Sequence, residues 1–121
     1  MNEQKIKHKL REFAKERNWE QFHTLKNLAI SINLESSELL EIFQWEKEDS
    51  TFKNNKVIKA RIKEEVADIL LYLIRFADLS KIDLEKVCLE KIELNKKKYP
   101  VNLSKGKSTK YTRLKKEYND E

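Results

Sequence analysis

An all-α fold, a four-helix bundle ending in a basic tail, is what this sequence predicts, on three observations. The 121 residues include one glycine and one proline, too few turn residues for a many-stranded sheet. Charged and hydrophobic residues each make up 39% of the chain, and the apolar ones recur at spacings of three, four and seven, the period of helices with a buried face. Four such segments follow one another with polar connections, and no repeat of the solenoid kind is visible.

The first helix is expected over residues 3–17, with Ile6, Leu10, Phe13 and Ala14 on one face, ending near Asn18. Thr24, whose side chain can cap a helix start, opens the second, which carries Leu28, Ala29, Ile32, Leu39, Ile42 and Phe43 and ends near Trp45. A polar stretch over 46–55 leads to the third, about 56–79, whose run VADILLYLIRFA is apolar almost all round and is expected to be buried on most sides. Asp83 caps the fourth, which runs to about Lys98 and is stopped by Pro100. The expected organisation is one helical domain, 1–103, and a loosely held basic tail, 104–121. A mostly apolar third helix in so small a chain needs more cover than its neighbours offer, so a homo-oligomer is expected.

The only cysteine, Cys88, falls at an apolar position of the fourth helix and is read as core. The chain shows no apolar run of membrane-spanning length, and its opening MNEQKIKHKL is unlike a signal segment, so a cytoplasmic protein without a membrane partner is expected. The net charge of +5 is uneven: residues 101–121 hold six Lys/Arg against three Asp/Glu. Such an excess suits nucleic acid, anionic lipid or a polyphosphate substrate without choosing among them.

Carboxylates narrow the choice. Glu35, Glu38 and Glu41 stand three residues apart and line one strip of the second helix. On the third, Glu65 and Asp68 repeat the spacing, and Asp68 lies inside EEVADILLYL among aliphatic neighbours. An ionised carboxylate in an apolar setting must be protonated, paired or bound to a metal. Two helices offering two carboxylates each make an all-oxygen set that suits a hard cation such as Mg2+. With neither histidine nor cysteine in the cluster, zinc finds no support. Spacing alone leaves a second reading open, a structural cluster salt-bridged to Arg61 or Lys63.

The segments WEQFHTLKNLAISINLESSELLEIFQW, EEVADILLYL and NKKKYPVNLSKGKSTKY resemble the MazG-type all-α nucleotide pyrophosphohydrolases, in particular their dCTP pyrophosphatase branch, from about Phe13 to Tyr111. The family pattern Glu-x-x-Glu followed by Glu-x-x-Asp falls on Glu35, Glu38, Glu65 and Asp68. The resemblance implies that these hold Mg2+, with Mn2+ as a substitute, against a triphosphate. It also implies that Trp19, Trp45 and Tyr72 are aromatic positions of the nucleotide pocket and that Lys91, Asn95 and Tyr99 are polar positions on the last helix. Relatives of this kind assemble as dimers or tetramers with pockets completed by a neighbouring chain. Leu10 departs from the pattern, standing where dCTP-preferring relatives carry a histidine.

The expected activity is Mg2+-dependent hydrolysis of a nucleoside triphosphate, dCTP or a modified pyrimidine deoxynucleotide first, to monophosphate and pyrophosphate. Glu38, central on the strip between Glu35 and Glu41, is the expected general base. A helical nucleic-acid-binding or regulatory module using Lys96, Lys97, Lys98 and the tail would explain the charge but not Asp68, and no stable nucleic-acid partner is expected. A scaffold whose acidic cluster is only structural is the third class.

Overall fold

The structure is a computed structural model that describes residues 1–45 and 55–107, and all regular structure among them is helical. Four long helices, α1 (Glu3–Glu16), α2 (Leu25–Phe43), α3 (Lys56–Ser80) and α4 (Leu84–Lys98), are followed by a single turn, α5 (Val101–Ser104).

Side chains set the helix starts. Asn2 accepts from the Lys5 amide at 3.0 Å, Thr24 from Asn27 at 3.1 Å, Asn55 from Val57 at 3.0 Å and Asp83 from Lys86 at 3.1 Å. Each satisfies an amide that a helix start leaves without a partner. Two of these caps, Thr24 and Asp83, are the expected ones. Helix α1 ends ahead of Asn18, whose φ of 54° is left-handed, a conformation asparagine tolerates. The chain then makes a 3₁₀ turn over Glu20–Phe22, and the Asn27 amide ties that turn to α2 by donating to the Phe22 carbonyl at 3.0 Å. Helix α3 closes on Lys81, φ 58°, with the Ile82 amide reaching back to Ala77 at 2.9 Å.

The chain divides into two compact units, Met1–Ile82 and a second beginning at Asp83. In the first, α2 and α1 each pack against α3. Its core is small: Ala14 from α1, Leu28 and Ile42 from α2, and Ile74 and Ala77 from α3. An ion pair ties α1 to α3, with Arg11 Nε–H donating to Asp78 Oδ2 at 2.7 Å and Nη2–H to Oδ1 at 2.5 Å. This two-pronged geometry fixes direction as well as distance. The guanidinium holds the Asp78 carboxyl below the usual carboxylate range.

Two packing expectations fail. Helix α3 is not buried on most sides: its buried residues are Ile74, Arg75 and Ala77, while Val66 is 50% and Leu73 40% exposed. Helices α1 and α2 cover only part of its circumference, and its length outruns them. Cys88 is exposed rather than core, and α4 has no buried residue at all: among the described residues its unit offers no second long helix to cover it. Helix α5 itself was not expected, and Pro100 begins it as well as ending α4. Residues 46–54 of the expected connection and 108–121 of the expected tail lie outside the described residues.

Ile74, fully buried where three helices meet, carries the first unit. Ile74→Ala should lower stability by about 2–5 kcal/mol, the usual loss for a truncated core aliphatic, read as a fall in the urea midpoint with an unchanged slope.

Candidate functional site

Packing α2 against α3 brings the acidic strip of one helix onto that of the other. Carboxylate oxygens of Glu35, Glu38 and Glu65 lie within 4.8 Å of one another. Glu35 Oε2 and Glu65 Oε2 are buried and meet no hydrogen-bond donor among the described residues. Such unsatisfied acceptors cost free energy unless a proton or cation serves them. Burial is the largest influence on Glu35; hydrogen bonding with Glu65 and Glu38 and the charges of Glu38 and Asp68 add to it, and its carboxyl is pushed up to about 7. Burial also raises Glu65, helped by Glu38 and Asp68 and opposed by its hydrogen bond with Glu35. Both carboxyls are therefore raised, because each is partly buried beside the charge of Glu38 and Asp68.

The donor set fits a hard divalent cation. Oxygens bound at about 2.0–2.6 Å to one ion sit no more than about 4–5 Å apart, which is the spread found here. No ion pair joins the cluster to Arg61 or Lys63 among the described residues, so the structural alternative lacks the cation it requires. Asp68 corrects the argument that singled it out: it is exposed, not walled in by aliphatics, because the α3 face around it is itself uncovered. Its charge still acts on Glu35 and Glu65. Glu41 stays outside the group.

A cavity of about 670 Å³ opens beside the acids and includes Glu35 and Asp68 in its lining. Ligand pockets run from about 300 to 1,000 Å³. Helix α1 supplies an apolar wall of Ile6, Leu10 and Phe13, flanked by Lys5 and Lys9. Trp19 also lines it, its ring edge-on to Phe13 with centroids 5.6 Å apart, and Tyr72 joins from α3. Apolar side chains, aromatic rings and carboxylates in one lining suit a ligand with a flat ring and a charged tail.

The structure thus gathers Glu35, Asp68, Trp19 and Tyr72 at one cavity, with Glu38 and Glu65 at its acidic edge. Trp45, at the end of α2, is 85% exposed and is not among the lining residues. Lys91 and Asn95 lie on one face of α4, in the second unit, and Tyr99 caps its end.

The family resemblance covers His23 in QFH, which is no replacement for the histidine missing at Leu10, but assigns it no role in the site, and sequence reasoning does not single out Arg75. Arg75 Nε–H donates to His23 Nδ1 at 3.2 Å, and both line the cavity. Arg75 is 6% exposed, and its Nη1 lies 3.6 Å from Asp78 Oδ2. Burial, then the Arg75 charge, push the imidazole below the usual histidine range against a smaller pull from Glu20. The signal was present in the sequence: an arginine inside LLYLIRFA is as anomalous as an aspartate inside VADILL.

A model of the MazG-like family matches residues 30–114, which include both acidic pairs, α3 and α4. The chain belongs to the MazG-like family. Among its relatives are dCTP pyrophosphatase 1 of Bos taurus, 39% identical over 105 residues, and that of Homo sapiens, 36% identical; each alignment covers 85% of this chain and 62% of the relative. The chain therefore spans less than two-thirds of the length of the curated relatives it matches. A pyrophosphatase from Archaeoglobus fulgidus superposes with a TM-score of 0.74 at 42% identity, over 80% of this chain and 91% of the other. The all-helical architecture is thus the MazG-like helical bundle. No described helix of this MazG-like chain is long and apolar enough to cross a membrane.

The raised Glu35 carboxyl dictates a pH response. Glu35 ionises near about 4.3 in an unfolded chain but near about 7 here. Its contribution to stability is therefore complete below the unfolded value and is lost as pH rises through the folded one. Without divalent metal, Tm should fall between about pH 5.5 and pH 8. Saturating Mg2+ should restore it at the higher pH, and Glu35→Gln should flatten the profile. Thermal denaturation at both pH values, with and without Mg2+, measures all three.

Proposed function

We propose that this MazG-like protein is a nucleoside triphosphate pyrophosphohydrolase that uses Mg2+ held by Glu35, Glu38, Glu65 and Asp68. The observation that carries the reading is the convergence of three carboxylates, two with buried unpaired oxygens, at the rim of an aromatic cavity of nucleotide size. The relatives named dCTP pyrophosphatase 1 and the neighbour named a pyrophosphatase support it. A nucleic-acid-binding module would leave the carboxylate cluster without a purpose.

When bound, Mg2+ neutralises triphosphate charge and acidifies a coordinated water. The protein's own groups do the rest. Glu35 and Glu65 anchor the set from the buried side, and Asp68 extends it toward the cavity. Glu38, the exposed member of the three, can take a proton from the attacking water and release it to solvent, which makes it the proposed general base. Trp19 and Tyr72 stack on the base while the triphosphate points to the acids. Lys5 and Lys9 line the same cavity and draw polyphosphate charge.

Pyrimidine deoxynucleoside triphosphates are the proposed substrates, dCTP and its 5-substituted forms first. The cavity wall holds Leu10, an apolar group where a polar contact would sharpen base choice, so discrimination between dCTP and dTTP or dUTP should be modest. Trp45, Lys91, Asn95 and Tyr99 are proposed to complete the pocket in a homodimer or homotetramer. Supporting assembly, α2 exposes Ile30 and Leu34 by 48% and 57%, and α3 exposes Val66 and Leu73 by 50% and 40%. Each pair sits at helical spacing on one face of its helix, a pattern that marks a contact surface.

Pyrophosphate release from the common nucleotides in Mg2+ tests the activity. Glu35→Gln, Glu38→Gln, Glu65→Gln and Asp68→Asn should each lower kcat/KM by about 100-fold or more, the scale of losing a group that stabilises transition-state charge, with helical content kept. Near-normal turnover by Asp68→Asn would remove it from the metal set, and preference for dATP or dGTP would refute the substrate assignment. Sedimentation at micromolar concentration should show a dimer or larger, and Leu34→Glu should shift it toward monomer.

A further inference from the structure

The Arg75–His23 pair has no part in holding metal, yet it spends a buried charge on one ring nitrogen at the cavity. Arginine stays protonated and only donates, so an imidazole nitrogen receiving its Nε–H must be unprotonated. Nδ1 is that nitrogen. The ring proton of neutral His23 is therefore on Nε2, which meets no protein partner among the described residues. Arg75 is fixed in turn: Asp78 sits 3.6 Å from its Nη1, and Asp78 is itself gripped by Arg11. The network runs from α1 through α3 to the loop that carries His23 and lies wholly within the first unit.

We propose that Arg75 is a positioning residue for base recognition: through its bond to Nδ1 it presents His23 Nε2–H to the cavity as a fixed donor for an acceptor atom of the nucleobase. The acceptor is a carbonyl oxygen or an unprotonated ring nitrogen, which a pyrimidin-2-one ring carries on one edge. A base edge that presents only N–H groups at that point is refused, since two donors would face each other in a partly dry pocket. The low basicity of the half-buried imidazole serves the same end, keeping the ring neutral and in one tautomer. The inference rests on the cavity being the nucleotide pocket.

The chain has two histidines, His8 and His23, so nitrogen-detected NMR of the imidazoles in the metal-free, nucleotide-free full chain reads the state of His23 directly, with His8→Gln assigning the signals. His23 should show a pyridine-type Nδ1 and a pyrrole-type Nε2 from about pH 6 to 8, where a free histidine titrates. A protonated Nδ1, or an imidazolium in that range, would overturn the proposal, and this result requires no variant to fold. The functional arm is a cycle of Arg75→Met, His23→Ala and the double variant. Arg75→Met should raise KM for dCTP about two- to tenfold, the worth of one neutral hydrogen bond, with kcat nearly kept, and should add nothing in the His23→Ala background. Independent, additive losses, or an Arg75→Met enzyme with unchanged KM, would refute the positioning role. Absence of pyrophosphate release from every nucleotide would instead overturn the proposed activity, leaving the NMR result to judge the tautomer separately.

Discussion

Three carboxylates held within 4.8 Å of one another at the α2–α3 seam repel each other, and the rest of the first unit is arranged around that repulsion. Opposing it are a small core in which Leu28 and Ile74 are fully buried, and the Arg11–Asp78 clamp that pins α1 to α3. Helix caps set where each acidic strip lies along its helix: Thr24 fixes the start of α2 and Asn55 that of α3. A set of groups so placed is poised between two states. Protonation of Glu35 relieves the strain without a ligand, and a divalent cation would relieve it with one, so a cation and the proton compete for this site.

The cavity beside the acids combines carboxylates with aromatic and aliphatic surface. Glu35 and Asp68 bring negative charge into the lining, and Phe13, Trp19 and Tyr72 bring rings. A nucleotide has the complementary parts, a flat base and a tail that attracts cations. Helix α1 contributes nothing to the acidic cluster, yet it furnishes the apolar wall and two lysines, which joins helix packing to ligand selection.

Much of this was legible in the sequence because helices announce themselves locally. Thr24 and Asp83 cap where expected, and the three-residue spacing of Glu35 with Glu38 and of Glu65 with Asp68 placed each pair on one strip. What periodicity does not supply is which side of a helix meets which neighbour. Asp68 was singled out by its aliphatic surroundings in the sequence and is exposed, whereas Arg75, four residues from Leu71 in the same apolar run, is the charge actually buried. Cys88 failed for a related reason: an apolar position is a candidate for burial, and burial needs a partner surface that α4 lacks in its own unit. His23 gave no periodic signal at all, since it lies in a turn, and its bond to Arg75 spans 52 residues of sequence.

The most direct test of the account is calorimetric titration of Mg2+ into the metal-free protein near about pH 7, repeated in buffers of different ionisation enthalpy so that proton release is measured with binding. Because the carboxyl of Glu35 is pushed up to about 7, binding there should expel a fraction of a proton, the fraction should shrink as pH rises, and Glu35→Gln should abolish it. Mg2+ binding with no proton release at or below that pH, or no binding at all, would contradict the assignment of the carboxylate cluster as the metal site.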